Sequence, residues 1–311
     1  MGVPTGRRAI AFAPGHVTGA FAPCTDGRDP RGRGSIGIGL VLDEGVVAEA
    51  EWLPSPRTSV AVTSRPSLDA AISTEVARRL VAGHRGRVRV RLTHRLPVGQ
   101  GFGMSAAGAL ATALSVGAVL RVPRGRQIET AHLADLFGGG GLGGVASILG
   151  GGLERRLRPG IPPFGRIVRR RTRAPVVVAV LGRPLPSPSI LSDSRRLRRL
   201  ASAWDGLDDP GTPPTLERFW AASEQFSDRL GWAPPEVRHG IRAIRRRGGR
   251  AAQAMFGRSL FASLPEEPRR TELLDWMRRT GIRAAELGVA QGGARLRQAP
   301  VRVRLEPAPR R

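Results

Sequence analysis

The stretch LPVGQGFGMSAAGALATAL, residues 96–114, decides the fold. Three of its glycines alternate with other residues, a serine follows, and a run of alanine and leucine with helical character begins. Alternating glycines let the backbone approach a bulky anion and turn N–H groups toward it, and the positive end of a following helix favours negative charge. The stretch therefore predicts a phosphate-binding loop that opens a buried helix from about Ser105.

Two common phosphate loops do not fit this stretch. A Walker A loop requires a lysine before its Ser or Thr, and the chain contains no lysine. A dinucleotide-binding loop directly follows its strand and needs an acidic residue about 20 positions later. Here residues 94–97 separate strand from loop, and positions 119–125 hold no carboxylate. Two interpretations remain: a P-x-G-x-G-x-G-x-S-A phosphate loop, or a glycine-rich turn that only lets a small-residue helix pack tightly.

Composition narrows the class of protein. A length of 311 residues suits two domains, and a hydrophobic content of 41% predicts a folded globular chain. The single cysteine, Cys24, excludes internal disulfides and clusters of thiolate ligands. The apolar run 105–120 is too short to span a bilayer, so we expect no membrane association and a cytoplasmic protein.

The net charge of +25 raises the question of nucleic acid. All 50 basic residues are arginine, and Asn and Tyr are absent as well, which indicates compositional drift in a GC-rich coding sequence. Aromatic residues make up 5% of the chain and do not alternate with arginine, as base stacking would require. Nucleic-acid binding is therefore an unfavoured interpretation.

Hydrophobic patterning predicts an α+β protein with two halves. Two β-rich runs flank Asp43-Glu44-Gly45, which is typical of a hairpin, and residues 87–94 alternate as a half-buried strand does. After Pro175 the pattern restarts with VVVAVL, residues 176–181, a buried strand. The domain boundary is therefore predicted near residue 172, giving domains 1–172 and 173–311.

The motifs resemble one family in order along the chain. PVGQGFGMSAAG, residues 97–108, resembles the phosphate loop of the GHMP small-molecule kinases, and GFGMSAAGAL is close to the version in archaeal pantoate kinases. Further segments similar to that family follow its order: FAPGHVTGAF (12–21), GSIGIGL (34–40), AHLADLF (131–137), GGLGGVASILGGGLERRLRPGIPPFG (140–165), PSPSILSD (186–193) and AAQAMFGRSLFA (251–262).

The resemblance implies a fold and an activity. The fold would join an N-terminal domain like the second domain of ribosomal protein S5 to a ferredoxin-like C-terminal domain, with ATP at their junction. The activity would be ATP- and Mg²⁺-dependent phosphorylation of (R)-pantoate to 4-phosphopantoate in coenzyme A biosynthesis. A homodimer is carried as a hypothesis of assembly.

The resemblance also implies site residues. Ser105 and Asp135 would act in catalysis and hold Mg²⁺, although the family commonly has Glu where this chain has Asp135. The fork of a guanidinium suits a carboxylate such as that of pantoate, which agrees with a substrate role for Arg156, while Arg155 and Arg158 leave the choice of arginine open. The residues implied for ATP are Pro97, Gly99, Gly101, Gly103, Met104, Ser105 and Ala106, and those for the substrate are Ser35, His132, Arg156 and Ser187.

The chain departs from the family pattern at residues 140–145. The pattern T-G-L-G-D-V reads G-G-L-G-G-V here, so Gly144 stands where the resemblance implies a proton acceptor or charge anchor. Loss of a general base typically slows a reaction by about 10²- to 10⁴-fold. Asp135 or Asp193 could take over this role. The alternatives are a kinase for another small hydroxy acid and a catalytically impaired relative that binds ATP or such an acid.

Overall fold

The computed structural model describes residues 5–184, 193–209, 211–264 and 266–304. The strands in chain order are β1 (Thr5–Cys24), β2 (Gly34–Leu53), β3 (Ser59–Arg65), β4 (Arg87–His94), β5 (Leu153–Arg158), β6 (Arg166–Arg170), β7 (Val176–Val180), β8 (Arg250–Gln253), β9 (Ser259–Ser263), β10 (Arg283–Leu287) and β11 (Arg295–Arg304). The helices are α1 (Ala71–Val81), α2 (Met104–Leu120), α3 (Arg124–Phe137), α4 (Gly144–Ser147), α5 (Ser194–Trp204), α6 (Leu216–Leu230), α7 (Pro235–Arg245) and α8 (Glu267–Arg279).

The first sheet carries α2 on its inner face. Its strands run in the order β11-β1-β2-β4-β3, and β5 pairs with both β2 and β6. Alanine, glycine and other small or aliphatic residues make α2 apolar on every side, and nearly all of them are buried against β1, β2, α1 and α3. This confirms the predicted buried helix. Among the described residues, no helix has the length and apolar character that crossing a bilayer requires.

The second sheet is ferredoxin-like, as the resemblance implied. Its strands run in the order β10-β7-β9-β8, and helices α5 to α7 and α8 fill the two crossovers of a β-α-β-β-α-β chain path. Strand β7 is buried along its whole length, because its run of valines contacts helices on one face and the rest of the core on the other. The α+β class is therefore confirmed.

The predicted hairpin at Asp43-Glu44-Gly45 is wrong. These residues lie inside the continuous strand β2, where the pairing with β1 shifts register between Pro14 and His16. A Cβ on Gly45 would overlap the carbonyl of Ala13. The polar and glycine residues thus mark a β-bulge in a long strand, a feature that shares its composition with a turn.

The predicted boundary at residue 172 falls in the connection between β6 and β7, where the chain passes from the first sheet to the second. The C-terminal range does not stay in the second sheet, because β11 returns to pair antiparallel with β1. A division by sequence position alone therefore separates β11 from the sheet it completes, and the domain limits of 1–172 and 173–311 stay a prediction.

Candidate active site

A cavity of about 450 Å³ opens where the two halves of the chain meet. The start of α2 forms one wall, and the segment between α3 and α4 forms another. Residues of β1, β2 and β5 close one end, and Met255 and Phe256 from the β8–β9 connection cover it. The cavity therefore draws its lining from most of the segments that the sequence motifs singled out.

The predicted phosphate loop lies along this cavity. Gly99, Gly101 and Gly103 have φ values of 72°, 75° and 69°, which lie in the left-handed region that side chains disfavour. Gly103 is the N-cap of α2, and within the described part of the chain no side chain caps it. The first N–H groups of α2 are thus left for an anion in the cavity. The remaining predicted loop residues, Met104, Ser105 and Ala106, also line the cavity, whereas Pro97 is not among the described lining residues.

Residues from the second half of the chain contact the phosphate loop and fix its conformation. Gln100 is buried, and its Nε2 donates to the carbonyl of Gly182 at 2.9 Å. The hydroxyl of Ser259 donates to the carbonyl of Gln100 at 2.5 Å. A Cβ on Gly101 would lie 2.7 Å from the carbonyl carbon of Ala254. The loop conformation is therefore set by contacts with the β8–β9 segment as well as by its own glycines.

Ser105 and Asp135 are in contact on the wall of the cavity. The Ser105 hydroxyl donates to Oδ1 of Asp135 at 2.6 Å. Asp135 is 2% exposed, and this burial raises its pKa to about 7, although the hydrogen bond from Ser105 acts in the opposite direction. The sequence placed both residues in one site, and the structure brings them into direct contact.

The pair fits a magnesium ion held together with nucleotide phosphates. A carboxylate and a hydroxyl are hard oxygen donors, and Mg²⁺ is usually bound by one or two carboxylates plus substrate phosphates. Within the described residues no group of three or more His, Cys, Asp or Glu side chains could hold a metal by itself. A Cβ on Gly140 would overlap both oxygens of the pair, so the glycine keeps the space beside them open.

Gly144 lies against the same pair. A Cβ at this position would lie 3.9 Å from Oδ2 of Asp135 and 2.6 Å from the Cβ of Ala106. Asp193, the other carboxylate considered for the missing role, is partly exposed and caps α5 by accepting the N–H groups of Arg195 and Arg196. Of the two, Asp135 is the one that lines the cavity.

Arg156 and Ser35 form the other end of the cavity. Arg156 is 3% exposed, and its Nη1 donates to Ser147 at 2.7 Å and to Glu154. Its Nε has no hydrogen-bond partner among the described residues. A Cβ on Gly143 would lie 2.6 Å from the Ser35 hydroxyl and 3.0 Å from this Nε. Guanidinium and hydroxyl thus border the same point, a suitable arrangement for a carboxylate.

The neighbouring arginines lie elsewhere. Arg155 donates from Nε to Asp208 at 2.8 Å and is buried away from the cavity, and Arg158 is exposed. Strand alternation separates Arg155 from Arg156, because successive side chains on β5 point to opposite faces. Arg158 ends the strand, beyond a shift in the pairing register of β5 with β6. Of the three arginines that the sequence left open, Arg156 is the one that lines the cavity.

The two remaining residues predicted to bind the substrate are His132 and Ser187. His132 is buried on α3, and its Nε2 lies 3.2 Å from the carbonyl of Pro30; it is not among the described residues that line the cavity. Burial lowers the pKa of His132. Ser187 lies outside the described residues. The substrate contacts of both stay predictions.

Sequence reasoning missed His16 as a site residue. It lies in the middle of β1, is 3% exposed, and lines the cavity between the phosphate loop and Arg156. Its Nε2 is 2.9 Å from Oε1 of Glu154. One signal was present in the sequence: His16 lies in FAPGHVTGAF, residues 12–21, one of the segments that resemble the family.

The fold and this cavity define the class of protein. The family of GHMP kinases, N terminal domain, matches residues 71–152, which include the phosphate loop and Asp135. A solved structure described as a phosphotransferase related to the CoA biosynthesis pathway superposes with a TM-score of 0.81 at 26% identity, covering 94% of this chain and 99% of its own. The chain is thus built as a GHMP kinase.

Full-length relatives narrow this class. The pantoate kinase of Methanospirillum hungatei is 30% identical over 82% of this chain and 87% of its own length. The pantoate kinase of Thermococcus kodakarensis is 31% identical over 83% and 88%. This chain belongs to the pantoate kinase family.

Proposed function

We propose that the protein transfers the γ-phosphate of ATP to the primary hydroxyl of (R)-pantoate, giving 4-phosphopantoate for coenzyme A biosynthesis. One observation carries the proposal: a phosphate loop and a buried arginine–serine site share a single cavity. Such a cavity can hold a nucleotide at one end and a small hydroxy acid at the other. We take this hydroxy acid to be pantoate because the family relatives are named pantoate kinases.

The phosphate loop provides the binding energy at the nucleotide end. Phosphoryl transfer needs the reactants to be positioned and the charge on the transferred oxygens to be neutralised, and little covalent chemistry is required of the protein. Left-handed glycines turn backbone N–H groups inward, and α2 adds the positive end of its dipole. These donors are fixed before the nucleotide arrives, because Gln100 and Ser259 hold the loop.

Ser105 and Asp135 would hold Mg²⁺ beside the phosphates. When bound, the ion supplies neutralisation of the charge on the phosphate oxygens. In its absence, burial raises the pKa of Asp135 to about 7, so its carboxyl group carries a proton about half of the time at pH 7. A bound cation favours the ionised carboxylate, so metal binding and loss of this proton are coupled.

Arg156 and Ser35 would receive the carboxylate of pantoate. The Glu154 carboxylate neutralises one charge in this region, while Arg156 and Arg169 supply two positive charges close to it. The excess of one positive charge favours an anionic substrate in a partly dry site. Binding through the carboxylate would fix the primary hydroxyl toward the phosphate loop.

The test is ADP release by the full chain with ATP and Mg²⁺, measured with and without pantoate. Release that depends on pantoate and yields one phosphorylated pantoate per ADP supports the proposal. Two other outcomes decide the alternatives. Turnover with a different small hydroxy acid, but not with pantoate, assigns another substrate. ATP binding without turnover of any acid indicates a binding protein.

Arg156→Gln tests the acceptor end. A charged hydrogen bond to a buried carboxylate contributes about 1.5–3 kcal/mol, so we expect the pantoate KM to rise by about tenfold or more. The ATP KM should stay within about threefold of wild type. Arg158→Gln, on the same strand but exposed, is the matched control and should leave both constants unchanged. An equal rise in both constants for Arg156→Gln would show that Arg156 is misassigned.

A further inference from the structure

His16 is fixed at the junction between the two ends of the cavity. Its backbone N–H donates to the carbonyl of Phe102 in the phosphate loop at 3.0 Å. A Cβ on Gly103 would lie 3.2 Å from the Cβ of His16, so the glycine lets the loop lie directly against this residue. The ring lines the cavity together with Thr18, Ser35 and Arg156. The ring therefore borders both the phosphate loop and the arginine–serine end of the cavity, the two places between which phosphoryl transfer would occur.

Glu154 sets the tautomer of the ring. Burial alone would raise the pKa of Glu154, but Arg156 and His16 hold it below its usual value, so the carboxylate is ionised. An ionised carboxylate has only acceptors, so the His16 nitrogen facing it, Nε2, carries the proton. Nδ1 is then the bare nitrogen, and its neighbour is the Thr18 hydroxyl at 3.4 Å. This is a long contact that a substrate hydroxyl can replace.

The ring is neutral at neutral pH. Burial lowers the pKa of His16 more than Glu154 raises it. The other charged groups facing the ring are Arg156 on β5 and Arg169 on β6, and both lower its pKa further. The phosphate loop meets it with backbone atoms of Phe102 and Gly103. A neutral imidazole whose far nitrogen is held by a carboxylate is the arrangement of a general base.

We propose that His16 is the proton acceptor of the phosphoryl transfer, in the role that Gly144 cannot fill, with Glu154 as its positioning residue. The inference rests on the proposed function. The O–H bond of the substrate hydroxyl breaks and its proton goes to Nδ1. The hydroxyl oxygen forms a bond to the γ-phosphorus, the bond from that phosphorus to the β–γ bridging oxygen breaks, and ADP leaves. The imidazolium keeps Nε2–H on Glu154 until the proton passes to solvent.

His16→Gln separates this role from a structural one. The amide NH₂ of glutamine can still donate to Glu154, but the variant has no basic nitrogen. We expect kcat to fall by about 10²- to 10⁴-fold, the usual contribution of a general base. The melting temperature and the affinity for ATP should stay close to wild type. At saturating Mg²⁺ and ATP, which keep Asp135 ionised, the wild-type kcat should decline toward acid pH, below the ordinary histidine pKa, as His16 is protonated. This acid-side decline should be absent in His16→Gln.

His239→Gln is the matched control, because His239 is exposed on α7. Its turnover and pH profile should match wild type. A second measurement uses unmodified protein: ¹⁵N-histidine NMR at neutral pH should show His16 with its proton on Nε2. A proton on Nδ1 overturns the proposal even where the variant fails to fold.

Failure of this inference is distinct from failure of the proposed function. Suppose that the wild type is active and that the kcat of His16→Gln lies within about tenfold of it, or that the variant keeps the decline of kcat toward acid pH. Either result overturns the role of His16 and leaves the kinase assignment standing. No turnover of any hydroxy acid by wild type overturns both.

Discussion

At the scale of single residues, Asp135 couples folding to pH. Its folded-state pKa of about 7 lies above the ordinary value of 3.8, so the native state retains a proton that the unfolded chain releases between those two values. Stability therefore falls as pH rises through this window, by up to about 1.4 kcal/mol per pH unit from this group. Asp135→Asn keeps an acceptor for Ser105 and cannot ionise.

We therefore expect Asp135→Asn to match wild type near pH 4 and to be more stable by about 2–4 kcal/mol at pH 8. The measurement is denaturant unfolding at both pH values without Mg²⁺ or nucleotide. Comparing variant and wild type at each pH cancels the other titrating groups. The same pH slope in both proteins would show that Asp135 ionises freely in the folded state.

Gly144 and Ala106 are coupled by size. An aspartate at 144 brings its Cβ to 2.6 Å from that of Ala106, so a carboxylate cannot be restored there without movement of α2. Overpacking of this kind typically costs about 1–3 kcal/mol. Gly144→Asp alone should therefore lose stability and gain little activity.

Ala106→Gly removes the clashing methyl group. It should cost about 1 kcal/mol alone as a glycine in a helix, yet it should restore stability when combined with Gly144→Asp. A double-mutant cycle on unfolding free energies measures this coupling. Additive losses would show that α2 shifts freely, and the steric argument would be wrong.

Single residues were predicted from sequence where their neighbours along the chain define their setting. Ser105 and Asp135 fall in motifs, and they meet at 2.6 Å. His16 could not be found in this way, because it lies within a strand and its partner Glu154 is 138 positions away. Pairing across a sheet brings them together, and no local pattern records that pairing.

At the scale of elements, the phosphate loop was predictable because its requirements are local. Positive φ values at alternate residues demand glycine, and a helix start follows directly. The bulge in β2 could not be predicted, because glycine and acidic residues are common in both turns and bulges. The distinction depends on what lies beside the strand, here β1.

Gly101→Ala tests whether the loop needs space as well as backbone freedom. Its Cβ would lie 2.7 Å from the carbonyl carbon of Ala254, whereas a Cβ on Gly83, with φ of 81°, meets no described atom within 4 Å. Gly83→Ala should therefore lose only the stability that a side chain costs in the left-handed region, about 1–2 kcal/mol, and it should bind ATP normally. Gly101→Ala should lose more stability and weaken ATP by tenfold or more. Equal effects in unfolding and ATP titration would contradict the crowding argument.

At the scale of the whole molecule, one core joins the two sheets. Phe21 on β1 lies 5.6 Å from Phe226 on α6 and 6.0 Å from Phe256 in the β8–β9 connection, measured between ring centroids. Buried residues of both halves belong to the same cluster. Strand β11, from the C-terminal end, completes the first sheet. These long-range contacts join residues on both sides of the predicted boundary at residue 172.

The shared core predicts that the chain unfolds as one unit. Four of the five tryptophans lie after residue 200, so their fluorescence reports mainly on the second half, while far-UV circular dichroism reports on both. Because separating the halves would expose Phe21 and its partners to water, we expect the two signals to share one denaturant midpoint. Phe21→Ala removes the central contact and should lower that midpoint, with a cost of about 3–5 kcal/mol, and bring the two transitions apart. Separate midpoints in wild type would show that the sheets fold independently and that the cavity between them is assembled only by docking of finished domains.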